Sequence, residues 1–155
     1  MSNAADNTHS TPALPRPSAT ILLLREEASG VEVLTVRRHA ELTFGGQWVF
    51  PGGKLSAADG SAAALTLIGN PDGYSCGRMH SLRGEPLPLT ECLGLAMAAC
   101  RETFEETGIL LATDRNGRPC APEVSARLQE QRPHVVKQPA LFIELLAQER
   151  LRPDI

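Results

Sequence analysis

No basic run interrupts this 155-residue sequence, and its formal net charge is -3. Proteins that grip nucleic acid through its phosphates normally carry a basic face, so no nucleic-acid partner is expected. Long apolar runs are missing too. The run "ILLL" at 21–24 falls far short of the roughly 20 residues that cross a bilayer, so no membrane partner is expected. The N-terminus lacks the basic region and apolar stretch of a signal peptide, which leaves the cytoplasm as the default compartment. Cysteine is sparse (Cys76, Cys92, Cys100 and Cys120) and never spaced as C-x-x-C, which argues against zinc. Cys92 and Cys100 fall on one predicted helix and read as small buried hydrophobes. The histidines, His9, His39, His80 and His134, are scattered and read as structural or solvated.

What remains is ordinary for a globular chain, with 42% hydrophobic and 21% charged residues and room for one domain with one core. Residues 1–17 are polar and proline-rich and read as a disordered tail. "SATILLLRE" (18–26) and "VEVLTVRRH" (31–39), around a Ser-Gly turn, predict a β-hairpin. A loop then leads to a short strand in "WVFPGGK" (48–54). Residues 55–89 are rich in Gly and Pro and predict a long irregular insertion, with a short helix in "SAAALTLI" (61–68). The strongest helix runs from Thr90 as N-cap to Gly108 as the stop. "ILLA" (109–112) predicts a buried strand and "DRNGRP" (114–119) a turn. Helices are expected in "APEVSARLQEQR" (121–132) and "QPALFIELLAQERL" (138–151).

The strongest helix carries the chemistry. At 100° per residue, Leu93, Met97, Cys100 and Phe104 share one stripe, and Glu102, Glu105 and Glu106 lie opposite, with Arg101 at the border. Carboxylates at helical neighbour positions repel by about 0.2–0.5 kcal/mol per pair. Two readings are open. One is a solvated face with an Arg101–Glu105 pair, since glutamate is a good helix former. The other is a platform for a hard divalent cation, which prefers oxygen donors and offsets the repulsion. "FPGGK" (50–54) supports the second, because paired glycines let backbone come close to a ligand.

"PGGK" (51–54) with "RETFEETGI" (101–109) resembles the Nudix hydrolases, whose signature is G-x5-E-x7-R-E-U-x-E-E-x-G-U with U apolar. The second half matches at Arg101, Glu102, Phe104, Glu105, Glu106, Gly108 and Ile109. Gly53 matches the signature glycine but lies far upstream. Counted back from Arg101, the first glutamate position falls on Leu93, with Glu91 out of register. "VFPGGKLSAADG" (49–60) and "RETFEETGILLA" (101–112) resemble an insertion-containing subgroup that includes acyl-CoA diphosphatases, and "VLTVRR" (33–38) resembles the start of a motif in CoA-directed members.

The resemblance implies an α/β fold, a mixed sheet between helices in a Nudix-type sandwich. It implies Mg²⁺ or Mn²⁺ held by Glu102, Glu105, Glu106 and the Gly52 carbonyl, with Arg101 orienting a carboxylate, most simply Glu105. It further implies hydrolysis of an X–P–O–P–Y bond in a nucleoside diphosphate derivative such as CoA or an acyl-CoA. ADP-ribose, NADH or a non-catalytic binding module are the alternatives. Arg37, Gly53 and Lys54 are the substrate-binding candidates, and a homodimer is compatible. The resemblance covers about 18–151, and the domain (18–155) is expected to be incomplete at its C-terminus. The faces of Leu141, Leu145 and Leu146 would then lack cover, and the chain would be weakly active or inactive.

Overall fold

A computed structural model describes residues 15–38, 41, 45–68, 75–81 and 83–154. The expected tail up to residue 14, His39, most of the expected loop at 39–44, and positions 69–74 and 82 of the insertion lie outside the described residues. The fold is α/β, made of four helices and small antiparallel strand pairs among the described residues.

The expected hairpin forms, but over fewer residues. β2 (Leu24–Glu27) and β3 (Gly30–Val33) pair Leu24 with Val33 and Glu26 with Val31 on one face, and Arg25 with Glu32 on the other. A 2.6 Å ion pair joins Arg25 to Glu32. The outer ends of the two expected strands turn to different partners. β1 (Ser18–Thr20) pairs with β6 (Gly52–Lys54), and β4 (Val36–Arg37) pairs with β5 (Trp48–Val49). The ladder continues past β1 through Ile21 N–H to the Pro51 carbonyl at 3.0 Å. The β1–β6 pair brings the Pro-Gly-Gly segment to the helix that bears the glutamates.

Gly52 sits where a side chain has no room. A Cβ there would collide with the Ala19 carbonyl oxygen and lie 2.8 Å from the Thr20 Cα. Backbone cannot swing aside as a side chain can, so Gly52→Ala is expected to pry β1 from β6. An overpacking cost of about 1–3 kcal/mol in urea unfolding checks this, and a neutral substitution would refute it.

α2 (Leu89–Thr107) is the central element. Leu93, Met97, Cys100 and Phe104 are all buried, as their stripe requires. Gly108 ends the helix in the left-handed region at φ 77°, its N–H donating to the Phe104 carbonyl. The N-cap differs from the expectation. Pro88 holds that position, and Thr90 lies within the first turn. The extended Pro88 backbone, φ -55° and ψ 140°, sets the entry without a side-chain cap.

On the apolar side of α2 lie α1 (Ala62–Ile68), α3 (Pro122–Val135) and α4 (Ala140–Gln148). Phe104 and Phe142 meet with ring centroids 5.6 Å apart. The face of α4 is therefore covered, against expectation. Leu146 is fully buried, and Leu141 and Leu145 pack half-buried on the same core. The strand expected at 109–112 shrinks to β7 (Ala112–Thr113), paired with β8 (Arg152–Pro153). The helix cap consumes Gly108 and Ile109, whose N–H donates to Thr107 Oγ1. The 114–119 turn forms as expected, with Asp114 Oδ1 accepting from the N–H groups of Asn116 and Arg118.

The insertion is more ordered than its composition suggests. It contains α1, a 3₁₀ turn at Ser75–Arg78, and a bridge between His80 and Pro86. Cys92 is not the free apolar residue expected of it. It forms a disulfide with Cys76, 16 residues earlier, and both are buried. The bond ties the insertion to the first turn of α2. Closing a loop of this size stabilises by about 3 kcal/mol in the chain-entropy account. Cys76→Ser is expected to lower unfolding stability by about that amount, and unfolded, unreduced wild type should titrate only Cys100 and Cys120 as thiols. Four thiols in that titration would refute the bond. Cys100 is buried with its pKa pushed up to about 12 by desolvation, so it reads as an inert core residue. No helix among the described residues is long and apolar enough to cross a membrane.

Candidate active site

Arg101 is the organising residue. Its side chain is 2% exposed, and its five N–H donors have five acceptors. Nε donates to Asp59 Oδ1 at 2.8 Å, and Nη2 to Asp59 Oδ2 at 2.9 Å and the Lys54 carbonyl at 3.0 Å. Nη1 donates to Glu105 Oε1 at 2.7 Å and Glu102 Oε1 at 2.9 Å. Burial alone would lower the guanidinium's pKa, but the hydrogen bonds it donates to Asp59 and Glu105 outweigh it and hold it raised.

Glu102 and Glu105 do not belong to a solvated face, whereas Glu106 is exposed. The Glu102 and Glu105 side chains are only 15% and 12% exposed. Gly53 packs directly on the Glu102 carboxyl, in the space a Cβ would fill, so a glycine there is what admits that carboxylate beside β6. Glu106 Oε2 accepts the Gly52 N–H at 3.1 Å. Gly52 thus meets a carboxylate through its N–H. Desolvation raises the Glu105 pKa, opposed by Arg101 and reinforced by Glu102 and Asp59. Desolvation also raises that of Glu106, opposed by the Gly52 N–H and reinforced by Glu102.

α3 fastens this end of α2. Arg132 Nε donates to the Glu105 carbonyl at 2.7 Å, its Nη2 to the Glu106 carbonyl at 2.8 Å, and Gln129 to the Gly108 carbonyl at 3.1 Å. These bonds satisfy carbonyls that a helix end leaves without an intrahelical partner.

Other sequence candidates are placed differently. Arg37 donates to the Gly46 carbonyl at 3.3 Å and is exposed. Its neighbour Arg38 is the arginine whose charge is felt at Glu106. Lys54 contributes its carbonyl to Arg101, and the residue is exposed.

Asp59 was missed. It is fully buried, in a turn where Ser56 N–H donates to its Oδ2 at 2.8 Å. Counting the signature back from Arg101 reached Leu93, a core residue. Counting the same Gly-x5-acid spacing forward from Gly53 reaches Asp59. The insertion therefore splits the signature after its first acid, and the fold closes the gap. Gly94 on α2 leaves room for the Gly60 backbone, whose Cα lies 3.4 Å from where a Gly94 Cβ would be.

Three carboxylates, Asp59, Glu102 and Glu105, thus gather around one buried guanidinium, with Glu106 held nearby by Gly52. Their oxygens are hard donors of the kind Mg²⁺ and Mn²⁺ prefer, and Arg101 alone does not balance their charge. Among the described residues no three acidic, imidazole or thiol groups converge into a ready-formed metal cluster. The fit to a divalent cation is one of donor chemistry and charge.

An acid split-signature held by Arg101 against a glycine pair is the arrangement of a Nudix domain, and the comparison agrees. The family model for the NUDT19 Nudix domain matches residues 3–155, and the chain belongs to this family. One relative is the Acyl-coenzyme A diphosphatase NUDT19 of Gallus gallus. It is 35% identical over 132 residues, covering 69% of this chain and 35% of the relative. The chain therefore spans about a third of that relative's length. No solved structure matches significantly.

Proposed function

We propose that the chain hydrolyses the diphosphate bond of CoA or an acyl-CoA with a divalent cation, Mg²⁺ or Mn²⁺. The observation that carries this reading is the Arg101 lattice, which holds Glu102 and Glu105 beside Gly53 while Gly52 holds Glu106. Glu102, Glu105 and Glu106 would hold the cation. Bound there, it supplies neutralisation of diphosphate charge and acidification of water. Arg101 keeps one oxygen of Glu102 and one of Glu105 fixed, and the other oxygen of each makes no hydrogen bond among the described residues. The Gallus gallus relative is an acyl-coenzyme A diphosphatase, which favours CoA-type substrates over ADP-ribose and NADH.

The test is product analysis with purified chain and Mg²⁺ or Mn²⁺. Breaking the diphosphate of CoA must give a phosphopantetheine and adenosine 3′,5′-bisphosphate. Those products, formed faster than turnover of ADP-ribose or NADH, are expected. Preference for ADP-ribose or NADH would move the assignment to another nucleoside diphosphate. No cation binding and no hydrolysis of any of them would leave a binding module.

A further inference from the structure

A second concave site lies away from the carboxylates. α4 ends at Gln148, and its end, the α1 helix and the turn before Pro119 enclose a cleft of about 450 Å³. Arg115, Arg150 and Arg152 line it together with Leu67, Ala147 and Leu151. No acidic residue among those described lines it. α4 packs on the Phe104 side of α2, opposite the glutamates, so this cleft is separate from the catalytic candidate.

Arg115, Arg150 and Arg152 are exposed, and three like charges gathered at one cleft raise the local concentration of anions there. Among the described residues none of the three makes an ion pair or a side-chain hydrogen bond. The nearest acids in sequence are engaged elsewhere. Glu149 pairs with Arg127 at 2.8 Å, Asp114 closes its own turn, and the charge of Asp154 is felt at Cys100. A helix C-terminus attracts a cation, but the last turn of α4 already binds its own chain. Glu149, Arg150 and Leu151 N–H groups donate to the Leu145, Ala147 and Leu146 carbonyls.

The backbone adds a second observation. Arg150 has φ 56°, the one non-glycine residue with positive φ among those described. It ends α4 in the left-handed conformation common just past a helix C-terminus, where glycine is the usual residue. The position carries an arginine that lines the cleft.

We propose that this cleft binds an organic phosphate, its phosphate held by Arg115, Arg150 and Arg152 and its apolar body resting on Leu67 and Leu151. Arginine suits this because its planar fork pairs phosphate oxygens two at a time. The small concave volume and apolar floor favour a small molecule over an extended polyanion.

Calorimetric titration of the metal-free chain in EDTA tests this without depending on hydrolysis. Adenosine 5′-monophosphate, inorganic phosphate and adenosine are the probes. Adenosine monophosphate is expected to bind saturably, about tenfold or more tighter than inorganic phosphate, and adenosine not to bind. Arg150→Gln with Arg152→Gln should weaken binding at least about tenfold. Arg150→Gly separates binding from folding, since it should raise the melting temperature while weakening binding. No saturation by adenosine monophosphate at millimolar concentration would overturn the site. Unchanged binding in both variants would do the same, and equal binding of inorganic phosphate would overturn the organic assignment.

Discussion

Replacing Asp59 with alanine is expected to cost the fold about 3–5 kcal/mol, the range seen when one partner of a buried ion pair is removed. Arg101 is 2% exposed and Asp59 fully buried, so water cannot take over the two bonds that Asp59 accepts from Arg101. The guanidinium cannot shed its proton as a lysine might, so a buried charge that has lost its bidentate partner and keeps only Glu102 and Glu105 stays inside. Asp59→Asn separates charge from shape, since an amide oxygen still accepts one donor while its NH₂ opposes another. It too should destabilise, by less than alanine. Urea unfolding measures both. A loss below about 1 kcal/mol for alanine would mean that water reaches Arg101, and the buried lattice would be disproved. The damage should not stop at stability. The Arg101 Nη1 that fixes Glu102 and Glu105 would no longer be held in place from behind.

How far the sequence revealed this site follows from which interactions are local. Helical periodicity placed Leu93, Met97, Cys100 and Phe104 inward, and the structure buries all four. The Arg101–Glu105 contact is an i,i+4 pair and was visible for the same reason. Asp59 acts on Arg101 from 42 residues away, and no periodicity reports a partner across an insertion. Only forward counting from Gly53 could have found it. The strand partners are a similar case. Alternation predicted extended backbone at 18–26 and 31–39, but it carries no information on which edge each half joins. β1 pairs with β6 and β4 with β5, both decided by tertiary packing. The cover of Leu146 was misjudged because it was expected to come from a continuation of the domain, whereas α1, already legible at 61–68, supplies part of that core. Cysteine spacing could not reveal the Cys76–Cys92 pairing either, since connectivity is set by the fold.

Glu105→Gln and Glu106→Gln should separate stability from activity in opposite directions. Both carboxyls are raised in pKa, chiefly by desolvation, so in the metal-free fold their ionised forms are disfavoured. An acid raised on folding binds more protons in the native state than in the unfolded chain. Stability therefore increases as pH falls from above the raised values to the ordinary glutamate value of 4.5. Glutamine removes a charge that is half-buried at Glu105 and exposed at Glu106, and keeps an oxygen for Arg101 Nη1 or for the Gly52 N–H, so the effect should be larger at Glu105. Each variant should unfold at higher urea than metal-free wild type at neutral pH, and should lose its share of the gain on acidification. Activity should move the other way. If these carboxylates hold the cation that neutralises diphosphate charge, each change should lower kcat by about 10²–10³-fold, the usual effect of losing one electrostatic contributor to a transition state. A solvated face would give neither effect, and a purely structural cluster would lose stability along with activity. Stabilised variants that retain full metal-dependent hydrolysis would remove Glu105 and Glu106 from the reaction while leaving their desolvation intact.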